Sequence, residues 1–219
     1  MTRSSPSARS SKQPRPAAHP PVQPERGASK ERRAVFFDRD GTLNEEIGHV
    51  SDLEQFRVYP FAARAVRQVN EAGMLAIVVT NQSGVGRGLF AESLVKKTHR
   101  RLTSRIAAKG GRLDAIFYCP HHPEALVEQY RVACACRKPA PGLLEAAAKQ
   151  FGIRLEKSFV VGDRYVDVQL AHRVGARSVL VLTGVGTNEW ELRRAAGGEQ
   201  PDHVAGNADE AVGWILRNL

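Results

Sequence analysis

Apolar residues fall along this chain in five short, unbroken runs, and most of them stop abruptly at a polar residue. They are Ala34 to Phe37 before Asp38, Leu75 to Val79 before Thr80, Ala115 to Tyr118 before Cys119, Phe159 to Val161 before Gly162-Asp163, and Ser178 to Leu182. Runs without polar alternation predict strands covered on both faces, as in a parallel sheet. Helical stretches separate them: Pro60 through Val66 and Val69 to Gly73, about Ala91 to Lys109, Pro141 to about Phe151, a segment ending at Val174-Gly175, and Ala208 to Leu219. Several open at proline or close at glycine, as helices do. The alternation predicts an α/β fold, a Rossmann-like three-layer sandwich with a mainly parallel central sheet.

Two stretches break the pattern. Between Asn44 and Val58 the apolar residues Ile47, Val50, Leu53, Phe56 and Val58 are isolated, too irregular for a core element, and predict a mobile flap. Thr183 to Asn207 reads as loops and a short helix. No insertion is long enough for a large cap domain, so a monomer whose site is covered by short loops is expected.

Residues 1–31 are rich in Ser, Pro, Ala and Arg with almost no large apolar side chains, and read as a disordered basic tail ahead of one domain over 32–219. Pro14, Pro16, Pro20, Pro21 and Pro24 exclude the amphipathic helix of a transit peptide. Up to Arg33 there are eight basic residues against two acidic ones, so six of the nine net positive charges lie there. The remainder is mildly basic, which fits a phosphorylated small molecule better than nucleic acid. No apolar run approaches a membrane span or a secretory signal, so a cytoplasmic protein with no membrane partner is expected.

Each polar strand end taken singly has an ordinary explanation as a turn former or cap. Together they do not, because a parallel sheet gathers the carboxyl ends of its strands at one edge, where ligands bind. Asp38, Thr80 and Asp163 would meet there, with Asp40 two residues on and Lys138 at a loop-to-helix junction. These are the parts of phosphoryl transfer through an aspartyl-phosphate. Asp38 would be the nucleophile and Asp40 the general acid and base. Thr80 and Lys138 would contact the phosphoryl oxygens. A hard cation, Mg²⁺, would be held by Asp38, Asp163 and the Asp40 backbone carbonyl. The loop Asn81 to Gly88 has glycines between a strand and a helix, but not in dinucleotide-binding spacing. It reads as a turn that lets backbone N–H groups approach a phosphate.

Cys119, Cys134 and Cys136, with His121 or His122, have the composition of a closed structural Zn²⁺ site, and spacing leaves the choice of imidazole open. Arg137 and Lys138 follow the last cysteine directly, so the metal would pin the loop that presents them.

Asp38-Arg39-Asp40-Gly41-Thr42, Thr80-Asn81, Lys138, and Gly162-Asp163 with Asp167 resemble, in order, the four motifs of the haloacid dehalogenase superfamily of phosphatases. Within it, Thr80 to Gly84, Tyr118 to Pro123 and Cys134 to Pro139 resemble the heptose 1,7-bisphosphate phosphatase family. Histidinol phosphatases are near relatives with a shorter metal loop. The resemblance implies removal of the 7-phosphate of a heptose bisphosphate, on the way to the nucleotide-activated heptose of bacterial surface polysaccharide. It favours His121 as the fourth zinc ligand. It also implies substrate contacts from Asn81, Gln82, Ser83, Arg137, Arg164, Glu46 and His49. His49 replaces an aromatic often found there, and Arg164 stands where the heptose enzymes frequently carry lysine. The competing readings are a histidinol-phosphate phosphatase, disfavoured by the long Pro123 to Val132 insert, and a zinc-stabilised nucleic-acid module, disfavoured by the mild charge and few aromatic platforms.

Overall fold

A computed structural model describes residues 31–219 and, ahead of them, the backbone of Ala17–Ala18. In chain order the strands are β1 (Ala17–Ala18), β2 (Ala34–Phe37), β3 (Leu75–Asn81), β4 (Ala115–Cys119), β5 (Phe159–Gly162), β6 (Arg177–Val181) and β7 (His203–Ala205). They form one sheet in the order β1-β4-β3-β2-β5-β6-β7. Strands β2 to β7 are parallel, and β1 pairs antiparallel with β4 at the edge, Ala17 opposite Tyr118. The rest of the expected basic tail ahead of Glu31 lies outside the described residues.

The helices are α1 (Ala62–Glu71), α2 (Glu92–Ala107), α3 (Gly142–Phe151), α4 (Tyr165–Arg173), α5 (Gly186–Ala196) and α6 (Ala208–Arg217). Successive strand residues point to opposite faces, and each face has its own core. Val35, Phe37, Ala76 and Val78 pack with α1, α2 and α6, whereas Phe36, Ile77, Val79 and Val160 pack with α3 and α4. In α1 the buried residues Ala62, Ala65, Val66 and Val69 follow helical spacing, which explains why this stretch is a helix and which side it buries. The expected three-layer architecture is thus present, with no large cap among the described residues. No helix there is long and apolar enough to cross a membrane.

The structure departs from the sequence expectation at Ala17–Ala18, expected within the disordered tail and found as the edge strand β1, and at two places in the folded domain. His203–Ala205, expected to be loop, forms β7, whose three residues align with Val179 to Val181 of β6. The flap is anchored: Val50 and Phe56 are buried in the core, and Asp52 and Gln55 cap a short 3₁₀ turn over Leu53–Gln55 reciprocally. Two apolar side chains reaching inward are sufficient to seat an irregular segment that has no periodicity to reveal it.

The central position of β2 places the site. It lies between β3 and β5, and is tied to the segment before β5 by Ala34 N–H donating to Ser158 Oγ at 3.1 Å across 124 residues.

Candidate active site

Asp38 follows β2 at the carboxyl edge of the sheet and is 6% exposed, its N–H donating to Val161 O of β5 at 2.8 Å. Thr80 lies near the end of neighbouring β3, and Asp163 follows the other neighbour, β5. Lys138, between Cys136 and α3, is buried, and its Nζ lies 2.9 Å from Asp38 Oδ1, 2.6 Å from Asp167 Oδ1 and 3.1 Å from Val79 O. An ammonium has three protons, and these three acceptors take them all. Burial disfavours its charge, but the two carboxylates outweigh that and hold its pKa well above the usual lysine value.

Asn81 fixes the backbone of this lysine. Its Oδ1 accepts Lys138 N–H at 3.0 Å and its Nδ2 donates to Lys138 O at 3.2 Å. Gln82 is as fully engaged: Nε2 donates to Asp40 Oδ2 at 2.8 Å and to Thr80 Oγ1 at 3.0 Å, and Oε1 accepts from Arg39 at 3.0 Å.

Arg39, the residue between the two aspartates, is 2% exposed. Its guanidinium holds Asp40 with contacts of 2.8–3.1 Å, reaches Thr98 Oγ1 on α2 at 3.1 Å, and lies 5.4 Å from the Phe56 ring centroid. Burial raises the Asp40 pKa, but the Arg39 charge and hydrogen bonds from Asn44, Arg39 and Gln82 outweigh it and hold the carboxyl below its ordinary range. Arg39, Thr98 and Phe56 were not legible as site residues. The only signal was an arginine enclosed by two aspartates, a pattern that usually means a solvated charge.

Asp163 is fully buried, one oxygen accepting Val185 N–H at 3.0 Å while Oδ1 has no hydrogen-bond partner; Asp167 Oδ2 is also unpartnered. Burial, then repulsion from Asp38 and Asp167, pushes the Asp163 pKa up to about 8. Single oxygens of Asp38, Asp163 and Asp167 lie within 4.8 Å of one another. Buried, unsatisfied carboxylate oxygens crowded together suit a hard divalent cation. Lys138 takes one oxygen of Asp38 and one of Asp167, so each of the three carboxylates keeps an oxygen that could face a cation.

A cleft of about 320 Å³ opens at this edge. It is lined by every residue expected as catalytic or substrate-contacting: Asp38, Asp40, Thr80, Lys138, Asn81, Gln82, Ser83, Arg137, Arg164, Glu46 and His49. It adds Arg87, Phe90, Val50 and Val166, which no motif marked. Arg164 Nη2 lies 3.4 Å from Glu46 Oε2, and the His49 and Phe90 rings have centroids 6.1 Å apart.

Beside the cleft, Cys119 Sγ lies 3.6 Å from both Cys134 Sγ and His121 Nδ1, and His121 Nδ1 lies 3.3 Å from Cys136 Sγ. Tetrahedral bonds of about 2.3 Å to sulfur and 2.0–2.1 Å to nitrogen place ligand atoms about 3.6–3.8 Å apart, so the four residues fit Zn²⁺. A hydrogen bond from Cys136 lowers the Cys119 pKa to about 6, the same contact pushing Cys136 up, so one thiolate is favoured even without a cation. His122 contacts Arg87 and Glu124 instead, and His121 is the imidazole grouped with the three cysteines.

Residues 135–211 match the family model described as HAD-hydrolase-like. The D-glycero-beta-D-manno-heptose-1,7-bisphosphate 7-phosphatase of Rhodopseudomonas palustris is 43% identical over 149 residues, 68% of this chain and 83% of that one. The D-glycero-D-manno-heptose-1,7-bisphosphate 7-phosphatase of Thermosynechococcus vestitus is 39% identical over 194 residues, 86% of this chain and 97% of its own. Among solved structures, the D,D-heptose 1,7-bisphosphate phosphatase of B. bronchiseptica, complexed with magnesium and phosphate, aligns with a TM-score of 0.75 and 30% identity over 85% of this chain and 99% of that chain. With that likeness spanning the whole phosphatase fold, this chain belongs to the haloacid dehalogenase-like hydrolases, in the family of the heptose 1,7-bisphosphate 7-phosphatases, and is a phosphoric monoester hydrolase.

Proposed function

We propose that the chain hydrolyses the 7-phosphate of D-glycero-D-manno-heptose 1,7-bisphosphate through an aspartyl-phosphate on Asp38, in the synthesis of activated heptose for surface polysaccharide. The observation that carries this reading is the Asp38 carboxylate at the cleft, with Oδ1 held by Lys138 and by Arg39 N–H at 2.7 Å. That leaves Oδ2 to attack phosphorus. The new Asp38 oxygen–phosphorus bond forms as the bond to the sugar oxygen breaks, and the leaving alkoxide takes a proton from Asp40. A water then attacks phosphorus, Asp40 recovers the proton, and inorganic phosphate leaves with Asp38 restored.

The Asp40 pKa is held low in the free protein, so Asp40 takes up a proton from solvent as the substrate binds, the negative charge of the arriving phosphate raising its proton affinity, and this is the proton passed to the alkoxide. Lys138 and the Thr80 hydroxyl compensate charge on the phosphoryl oxygens, while Asn81 keeps Lys138 in place. Mg²⁺, held by Asp38, Asp163 and the Asp40 carbonyl, would supply electrostatic compensation for the phosphoryl group. Zn²⁺ on Cys119, His121, Cys134 and Cys136 would fix the loop that presents Arg137 and Lys138.

The test is phosphate release from the heptose bisphosphate, histidinol phosphate and an aryl phosphate, each with and without Mg²⁺. Highest kcat/KM on the bisphosphate, dependence on Mg²⁺ and loss of turnover in Asp38→Asn are expected. Unchanged turnover in Asp38→Asn rejects the mechanism, and a preference for histidinol phosphate rejects the substrate.

A further inference from the structure

Consecutive residues of the zinc loop, His121 and His122, each hold one arginine of the cleft. The carbonyl of His121 accepts from Arg137 Nη1 at 3.4 Å, and Nε2 of His122 lies 2.9 Å from Arg87 Nη2. Both arginines line the cleft, and among the described residues neither has a carboxylate within ion-pair distance. The base of Arg87 is tied to the same loop. Val127 N–H donates to Gly86 O at 3.0 Å, and a Cβ on Gly86 would come within 2.8 Å of Pro120 O, so the two loops are packed backbone to backbone.

Donor counting at His122 indicates what this pair of cations faces. Glu124 N–H lies 3.1 Å from His122 Nδ1 and can only donate. The Arg87 guanidinium on the other ring nitrogen also can only donate. A neutral imidazole has one lone pair for these two donors, so either tautomer sets one N–H against another, and a protonated ring adds a further donor. If Nδ1 accepts from Glu124, the Nε2 proton and the Arg87 protons face each other, an arrangement that an anionic acceptor on the cleft side completes.

We propose that Arg87, backed by the His122 ring, forms with Arg137 a second anion subsite, which takes the substrate phosphate that Asp38 does not attack. The inference rests on the bisphosphate reading above and deepens it. It makes discrimination between a bisphosphate and a monophosphate a property of the zinc loop. Arg87 and Arg137 act by direct contact, and His122 is a positioning residue.

The experiment compares kcat/KM for the heptose 1,7-bisphosphate with kcat/KM for the 7-monophosphate of the same sugar, in wild type, Arg87→Met, Arg87→Lys and His122→Phe. Losing a charge-assisted contact to phosphate should reduce the ratio of the two values about 10- to 100-fold in Arg87→Met, chiefly through KM for the bisphosphate. Lysine should restore part of it, and His122→Phe should reduce it by less. An unchanged ratio in Arg87→Met, or equal losses on both substrates, overturns the subsite.

A wild type that prefers no bisphosphate overturns the substrate reading instead. The subsite is then judged from inhibition of aryl phosphate turnover by a hexose 1-phosphate. An inhibition constant about tenfold weaker in Arg87→Met supports it, and an unchanged one rejects it.

Discussion

Replacing Arg39 with methionine keeps most of the side-chain volume and removes the charge that Asp40 is built against. At 2.8 Å and an effective dielectric near 20, the gross attraction between the two groups is about 6 kcal/mol. Part of it offsets desolvation, since the arginine side chain is 2% exposed and that of Asp40 20%. Asp40 would keep its bonds from Asn44 and Gln82 but not the guanidinium. Removing one partner of a buried pair typically costs about 3–5 kcal/mol, and this is the expected loss in urea unfolding at neutral pH. For a domain of this size it corresponds to a fall in Tm of about 6–20 °C.

The pH dependence has a definite sign. In the wild type the folded-state pKa of Asp40 is depressed, so the group contributes stability above its unfolded value, and that contribution disappears as pH falls through the folded pKa. In the variant burial acts with less opposition, the folded pKa rises, and the charge becomes a cost that protonation relieves. The stability gap between the two proteins should therefore be largest at neutral pH. It should begin to close as pH falls through the raised pKa of the variant, and be smallest below the depressed one of the wild type. A loss under about 1 kcal/mol at pH 7, or a gap that does not narrow with acid, would refute the account of Arg39 as the charge that balances Asp40.

Other outcomes follow from the same geometry. Freshly purified protein should contain about one zinc per chain by elemental analysis, and chelation should lower kcat/KM through the loop bearing Arg137 and Lys138; protein without zinc that is fully active would contradict this. Gly41→Ala places a Cβ 2.1 Å from Asp163 Oδ2 at a φ of +80°, so the half-saturating Mg²⁺ concentration should rise about tenfold or more, whereas an unchanged Mg²⁺ titration would show that Asp163 does not hold the cation. Asn81→Leu removes both hydrogen bonds to the Lys138 backbone. Its stability should fall by about 1–3 kcal/mol and kcat by about 10- to 100-fold, with a near-normal kcat marking the clamp as dispensable.

The fold was legible wherever apolar residues ran without interruption. Ala34 to Phe37 and Phe159 to Val161 are covered on both faces, so their composition alone announced them. Strand β7 was not legible, because three residues beginning with His203 have no pattern of their own and become a strand only by pairing with Val179 to Val181. Phe56 was hidden for a related reason: its burial comes from the core and from Arg39 above it, not from its sequence neighbours. The positions of Asp38, Thr80, Lys138 and Asp163 could be read because each stands at a strand end or beside a metal-binding pattern. Arg39, Thr98 and Arg87 could not, since what defines them is a partner far away in sequence: Thr98 held by the Arg39 guanidinium, and His122 facing Arg87.

Strand β2, with β3 on one side and β5 on the other, has a consequence for how the enzyme comes into being. The proposed nucleophile, Asp38, directly follows β2, yet the neighbour that completes that strand is 124 residues downstream. At ribosomal rates of about 5–20 residues per second, one edge of the strand is made about 6–25 s before its partner exists. During that interval Ala34 to Phe37, four apolar residues in a row, have an unpaired edge, and Asp38 lacks the Val161 carbonyl that fixes its backbone. The site of the nascent chain should thus stay incomplete, and the strand edge exposed, until β5 has been synthesised. Agents that shield exposed strand edges should therefore raise its yield of folded protein.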